Sequence, residues 1–197
     1  MLVHHNDFIL EHRNAVSKRH CDRLIKLFEK RKDLQTPGLS GFFNIDPEVK
    51  DSTDIQMNAS HSRNREIRNC MFPVLKALDH LVFQEYIPRY QLSFDQVDPF
   101  KMDPRFNIQR YQPGKGFHGW HSESSSIKNG NRKLVWMIYL NDVENGGTEF
   151  LNQNLTTEAT TGTLLVWPTD WTHTHRGQRG TTSLKYIITG WYIFQTK

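Results

Sequence analysis

His121 and Glu123 place an imidazole and a carboxylate two residues apart, in the stretch "FHGWHSESSS". In an extended segment, positions i and i+2 project from one face, so a histidine nitrogen and a carboxylate oxygen would converge on one point. That pair is two-thirds of a 2-His-1-carboxylate facial triad, which holds non-haem Fe(II) and leaves positions open. His-x-Glu is common by chance, and the pair alone does not establish a metal site. A third ligand is needed. His173 and His175, in "WPTDWTHTHRG" about 50 residues further on, can each complete the set; one would ligate while the other supports it. A lone histidine is usually a surface or satisfied residue, but that reading weakens for the three groups together.

Lys185 stands ten residues after His175, at the head of "LKYIITGWYIF", the most apolar segment of the chain. A cation in such a strand is costly unless paired. A bound dicarboxylate would provide the partner; the alternative is a strand-end lysine reaching into water. Thr189 and Trp191, at i+4 and i+6 from Lys185, share its face and would line the same pocket. For Trp191, ordinary core packing explains the residue equally well.

These groups need a scaffold. Ser17 reads as the N-cap of a helix with Cys21, Leu24, Ile25, Leu27 and Phe28 at helical spacing, ended by "QTPGLSG" at residues 35–41. A longer helix is expected from about Arg63 to Tyr86, on the stripe Ile67, Cys70, Met71, Val74, Leu75, Leu78, Leu81 and Val82, with a dent at Pro73. After Asp103, short β-branched and aromatic segments bounded by turn residues take over: "RFNIQRY" (105–111), "KLVWMIYL" (133–140), "GTEFL" (147–151), "GTLLVWP" (162–168) and "LKYIITGWYIF" (184–194). Helices followed by strands predict an α+β fold, with helices on one face of an antiparallel sheet or sandwich, for which a jelly roll is one architecture.

A length of 197 residues fits one domain. Aromatic residues make up 12%, which argues against disorder despite a mean hydropathy of −0.65. The net charge of +4 is scattered apart from short clusters such as Lys30-Arg31-Lys32. It forms no basic stripe of the kind nucleic-acid binders carry, so nucleic acid is not an expected partner, whereas an anionic co-substrate suits the charge. Cys21 and Cys70 lie in no Cys-x-x-Cys motif and fall on apolar helix faces, so they read as core thiols. The opening "MLVHHNDFILEHRNA" lacks a signal-peptide apolar core, and no apolar run is long enough to span a membrane. The expectation is a reducing, cytoplasmic setting.

Taken in order, several segments resemble the iron(II)/2-oxoglutarate-dependent dioxygenases, in particular the prolyl-4-hydroxylase-like branch. "IQRYQPGKGFHGWHSE" is similar to the tyrosine-proline-glycine lead-in to that branch's first ligands, and "MIYLNDVENGGTEF" to its Gly-Gly-x-Thr-x-Phe hairpin. "GTLLVWP" followed by "THTHRG" resembles the strand leading to the distal histidine, and "KYIITGWYIF" the strand bearing the basic partner of the co-substrate. The resemblance covers residues 105–194; "HCDRLIKLFEK" and "NCMFPVLKALDHLV" are more loosely similar to the family's support helices.

The resemblance implies a single domain over 1–197. Residues 1–100 would be a mainly helical support region and 105–194 a double-stranded β-helix (jelly roll) core. It makes His121, Glu123 and His175 the metal ligands, with His175 preferred to His173 by its offset from Lys185. Glu123 stands where the family usually has aspartate, one methylene shorter. Lys185 would pair with the far carboxylate of 2-oxoglutarate, and Tyr111 and Tyr139 would help bind that carboxylate through their hydroxyls. The implied cofactors are Fe(II), 2-oxoglutarate and O2, with ascorbate as a further reductant. The implied reaction is hydroxylation of an unactivated C–H bond, with a peptidyl proline as the family-level substrate.

The residues Phe117–Trp120, the tract at 122–132, a lid-like stretch Asp46–His61, and Arg176 as an anion contact are candidates for facing the substrate. The alternatives are an oxygenase acting on a free amino acid or other small molecule, a non-catalytic jelly-roll binding module, and a cupin-like metalloenzyme that needs no dicarboxylate anchor.

Overall fold

The computed structural model describes residues 1–5, 7–40, 45–58, 65–178 and 182–195. Eleven strands lie among them in chain order: β1 (Leu2–His4), β2 (Leu10–His12), β3 (Thr36–Pro37), β4 (Thr53–Asn58), β5 (Phe100–Tyr111), β6 (Arg132–Tyr139), β7 (Thr148–Phe150), β8 (Leu155–Thr156), β9 (Leu164–Pro168), β10 (His175–Gly177) and β11 (Lys185–Phe194). Eight form one antiparallel sheet in the order β1-β2-β9-β6-β11-β5-β4-β3, and three form a small sheet in the order β10-β7-β8. The helices are α1 (Lys18–Lys30) and α2 (Arg65–Leu81); a π-helical turn at Val82–Tyr86 and short helices α3 (Ile87–Arg89) and α4 (Gln91–Phe94) follow. No helix among the described residues is long and apolar enough to cross a membrane.

The expected α+β fold with a jelly-roll core is what the chain forms. The central strands of the main sheet are buried on both faces, and strand alternation divides their side chains between two cores. Leu134, Trp136 and Ile138 of β6, Leu164 and Val166 of β9, and Tyr186, Ile188 and Tyr192 of β11 pack toward the helices, against Leu24, Phe28, Met71, Val74 and Leu78. Their neighbours Val135, Met137, Tyr139, Leu165, Trp167 and Ile187 face the opposite way, with Tyr111 and Phe150, into the space between the two sheets. Phe150 of the small sheet meets Trp167 of the main sheet edge-on, centroids 5.3 Å apart.

Polar ties fix the helices to the sheet. Arg110 and Tyr186 both donate to Glu29 of α1, each at 2.9 Å, and Tyr192 donates to Asp79 of α2 at 3.0 Å.

Ser17 takes the N-cap position with extended backbone, but its side chain makes no capping bond. The second helix stays α-helical through Pro73, and the irregularity comes later, as the π turn at Val82–Tyr86. The side chain of Ile67 lies outside the described residues. Residues 1–100 hold four complete strands besides their helices. β1 to β3 are too short to show a period. β4 alternates Ile55 and Met57 with polar positions, and half of its residues are buried. The lid-like reading of Asp46–His61 therefore does not hold for Thr53–Asn58, which pair with β5 in register Ile55↔Ile108; residues 59–61 lie outside the described residues.

Gly190 sits opposite Trp136 in the β6–β11 ladder, and a Cβ there would come within 2.5 Å of the indole ring. Trp136 is fully buried and has no room to yield. Gly190→Ala is therefore expected to destabilise the fold by about 1–3 kcal/mol, read as a lower urea midpoint at unchanged m-value.

Candidate metal and dicarboxylate site

The segment that carries His121 and Glu123 joins the edge of the small sheet. His121 and His175 form an antiparallel bridge, the amide of each donating to the carbonyl of the other at 3.0 and 2.9 Å. This backbone pairing sets the two imidazoles side by side, ring centres 4.3 Å apart. His121 Nδ1 hydrogen-bonds the Gly119 carbonyl and His175 Nδ1 the His173 carbonyl, both at 2.9 Å. A carbonyl only accepts, so each Nδ1 carries the proton and each Nε2 presents its lone pair. Phe117 stacks on the His121 ring at 3.6 Å, 7° from parallel.

Glu123 is tied to the end of β9, its amide and that of Ser124 both donating to the Thr169 carbonyl at 3.0 Å. Its Oε1 lies 3.7 Å from the Nε2 atoms of both His121 and His175. One ligand atom from each of the three residues thus falls within 4.8 Å of the others. Its Oε2 is turned away and accepts from Trp191 Nε1–H at 2.9 Å and from Arg132 at 3.2 Å.

Burial, and next the neighbouring His175, push His121 down to about 3, so its imidazole is neutral. Burial opposes the charge on Glu123, but contact with His175 and the nearness of His121 and of the Arg132 guanidinium outweigh it and hold the carboxyl below its usual range. Two unprotonated imidazole nitrogens and one carboxylate oxygen, open toward a common point, are a donor set that fits Fe(II).

His173 is not part of the cluster. Its Nε2 hydrogen-bonds the Asp7 carbonyl and its Nδ1 the Thr172 hydroxyl. Its ring borders a separate cavity of about 420 Å³ lined by Phe8, Tyr86, Phe94 and Leu134, which touches none of the three clustered residues.

Lys185 begins β11, opposite Tyr111 of β5, and is 5% exposed. Its side chain enters the space between the sheets: a Cβ added to Gly177, two residues past His175 on β10, would lie 3.8 Å from the Lys185 amine. Among the described residues no carboxylate forms an ion pair with it. Burial alone pulls its pKa down to about 8. The rings of Tyr111 and Tyr139 flank it, with centroids 5.8 and 5.6 Å from the amine.

The tyrosine hydroxyls are engaged elsewhere, Tyr111 donating to Gln109 at 2.7 Å and Tyr139 bonding Thr148 and Thr157 at 2.7 and 3.0 Å. It is their rings that face the amine. Thr189 spends its hydroxyl on the Trp136 carbonyl at 3.0 Å, and Trp191 donates to Glu123.

Arg176 alternates with His175 and so leaves the site. It pairs with Glu149 at 2.6 Å and lies 4.3 Å above the ring of Trp120, on the opposite face of the small sheet. His118 is buried, its amide bonded to the Val49 carbonyl at 2.8 Å.

Lys50 and Asp54 were not singled out as candidates. They form an ion pair at 2.7 Å with both side chains almost wholly buried. Asp54 also accepts from Ser52 at 2.7 Å and from Gln109 at 3.4 Å, and Gln109 in turn holds Tyr111. Lys50 forms an isolated bridge with Phe117. The pair therefore links the segment that carries His121 and Glu123 to the wall around Lys185. The alternation of Ile55 and Met57 in "STDIQMN" was the one signal that could have placed Asp54 in a sheet.

Residues 106–193 match the family model described as the 2OG-Fe(II) oxygenase superfamily, in agreement with the resemblance read from the segments. No curated protein sequence matches the chain with significance. Solved structures share its fold. A viral collagen prolyl hydroxylase from Paramecium Bursaria Chlorella virus-1, in complex with 2OG, is 16% identical over 96% of this chain and 98% of its own, with a TM-score of 0.66. A Pseudomonas putida prolyl-4-hydroxylase is 15% identical over 97% and 95%, at 0.68. A Trichoplax adhaerens prolyl hydroxylase, in complex with a hypoxia inducible factor oxygen degradation domain peptide fragment, is 14% identical over 95% and 84%, at 0.73.

The buried amine yields a pH-dependent prediction. Its folded pKa lies below the unfolded one, so the unfolded chain binds more protons between about pH 8 and 10.5 and stability rises with pH there. Below pH 8 the burial cost is fully present. Lys185→Met should stabilise the ligand-free protein at pH 7 by on the order of 3 kcal/mol, with the advantage shrinking from pH 8 to 10. Chemical denaturation of both proteins across that range checks it.

Proposed function

We infer that the 2OG-Fe(II) oxygenase core at residues 106–193 makes this chain a hydroxylase that uses Fe(II), 2-oxoglutarate and O2, and that its substrate is a peptidyl proline. The observation that carries the reading is the meeting, in one space between two sheets, of a His121–Glu123–His175 donor set and a buried cation, Lys185, that has no carboxylate partner among the described residues. His121 and His175 would bind iron through Nε2 and Glu123 through Oε1. Iron held there supplies the chemistry that couples oxidative decarboxylation of 2-oxoglutarate, to succinate and carbon dioxide, with hydroxylation of a substrate C–H bond.

The chain's own residues do the rest. The Gly119 and His173 carbonyls orient the imidazoles. Lys185 offers its ammonium to the far carboxylate of 2-oxoglutarate, which offsets the desolvation of the amine. The Tyr111 and Tyr139 rings keep water from that ion pair, and low polarity strengthens it. A non-catalytic binding module would have no use for three convergent ligands plus a buried counter-charge, and an oxygenase independent of 2-oxoglutarate would have no use for Lys185. The proline assignment is supported by the prolyl hydroxylases that share the fold. Two buried free thiols, Cys21 and Cys70, suit a reducing compartment such as the cytoplasm.

Purified protein given Fe(II), 2-oxoglutarate and O2 should release succinate, and more when supplied with proline-containing peptides than with free amino acids or nucleosides. His175→Ala should abolish release, and His173→Ala should keep most of it. Lys185→Ala should raise the KM for 2-oxoglutarate at least tenfold. Succinate formation unaffected by His175→Ala would overturn the assignment, and stimulation by a free amino acid alone would move the substrate to a small molecule.

A further inference from the structure

We propose that Arg132 and Trp191 are positioning residues that hold Glu123 as a one-oxygen metal ligand, so that this site is built for glutamate and works less well with the shorter aspartate. The inference rests on the metal reading above and concerns how the carboxylate is presented. A carboxylate can offer a metal one oxygen or two. Here Oε2 is committed to two N–H donors, the Trp191 indole at 2.9 Å and the Arg132 guanidinium at 3.2 Å, while Oε1 alone faces the imidazoles. Hydrogen bonds to an ionised acceptor are the stronger kind. Turning Oε2 toward the metal would leave the Trp191 N–H and the guanidinium without this partner.

A one-oxygen carboxylate keeps open the position that a two-oxygen carboxylate would fill. An iron held there would need open positions for 2-oxoglutarate and dioxygen, which the one-oxygen presentation of Glu123 leaves available.

The two donors are themselves held. The guanidinium carbon of Arg132 lies 3.7 Å from the centre of the Trp191 ring, so the donors stack on one another. Arg132 also donates to the Glu123 carbonyl at 3.2 Å. Thr169 joins the two segments: its carbonyl receives the Glu123 and Ser124 amides, and its hydroxyl donates to the Arg132 carbonyl at 2.9 Å. In the ladder between β11 and β5 the register shifts at Trp191, and a bulge next to a site is a recurrent way to re-aim a side chain.

Aspartate at 123 would be shorter by one C–C bond, about 1.5 Å. With its backbone pinned by Thr169, it could reach the metal position or the two donors, but not both.

The test is Co(II) titration of the metal-free protein, followed by the visible absorption of bound cobalt, with thermal unfolding of each variant to confirm the fold. Glu123→Asp, Trp191→Phe and Arg132→Met are each expected to weaken Co(II) binding tenfold or more, with Arg132→Lys recovering part of the loss. The combination of Glu123→Asp with Trp191→Phe should bind no more weakly than Glu123→Asp alone, because the shortened carboxylate has already lost the indole. That non-additivity is what a purely structural tryptophan would not produce. Parental affinity in Glu123→Asp, or fully additive losses in the double variant, would overturn the inference while leaving the metal reading in place. A parent protein that binds no Co(II) and releases no succinate would overturn both. If Trp191→Phe unfolds, Arg132→Met combined with Glu123→Asp carries the same comparison, because Arg132 bonds the same carboxylate oxygen.

Discussion

The central strands of the main sheet are buried on both faces, and everything else in this protein follows from that constraint. Each of its central strands has to satisfy two environments at once, and the pleat does this by sending alternate residues to opposite sides. Along β11, Tyr186, Ile188 and Tyr192 meet the helices while Lys185, Ile187 and Trp191 face the small sheet. A shift of one residue would put the Lys185 amine under α1 and Tyr186 in the site. The helical core therefore fixes more than stability: by holding the register of β11 it decides that a cation and an indole donor enter the space where the three candidate ligands meet.

The interior between the sheets is unusually polar for a core, and its polar groups fall into two kinds. Most are paired within the protein. Lys50 with Asp54, Gln109 with Tyr111, Tyr139 with two threonines and Glu123 with Trp191 and Arg132 all form closed arrangements. Such networks rigidify a site when every member is satisfied. Removing one partner of a pair buried as deeply as Lys50 and Asp54 typically costs about 3–5 kcal/mol. The second kind points at empty chemistry: two Nε2 lone pairs, one carboxylate oxygen, and one ammonium. The ordered, satisfied groups form the wall that keeps the unsatisfied ones aimed.

Much of the site was legible before any fold was known. His121, Glu123, His175 and Lys185 stand out because their types are chemically specific and their spacing agrees with short strands, and the structure brings all four into one space. β5, β6, β7, β9 and β11 were visible in β-branched and aromatic runs, whereas β8 and β10, two and three residues long, were not. β1, β2 and β3 were not, because two or three residues carry no period. β4 was missed although Ile55 and Met57 alternate, because its polar positions made "KDSTDIQMN" look like loop. With β4 went the Lys50–Asp54 pair. The rings of Tyr111 and Tyr139 flank Lys185, and their hydroxyls bond Gln109 on the same strand and Thr148 and Thr157, partners that the spacing along the chain did not single out.

By itself the sequence determined which atoms are available: two imidazoles, a carboxylate, an amine, and strands apolar enough to bury them. Residue chemistry and strand period are local properties, so a single chain can be read for them. Only the tertiary structure decided which atom of each residue is free. The Gly119 and His173 carbonyls turn both imidazoles toward a common point, Arg132 and Trp191 claim Oε2 of Glu123 and leave Oε1, and Asp7 and Thr172 occupy the ring of His173. Those choices depend on hydrogen-bond partners that lie from one to more than a hundred residues away, and no spacing rule along the chain can supply them.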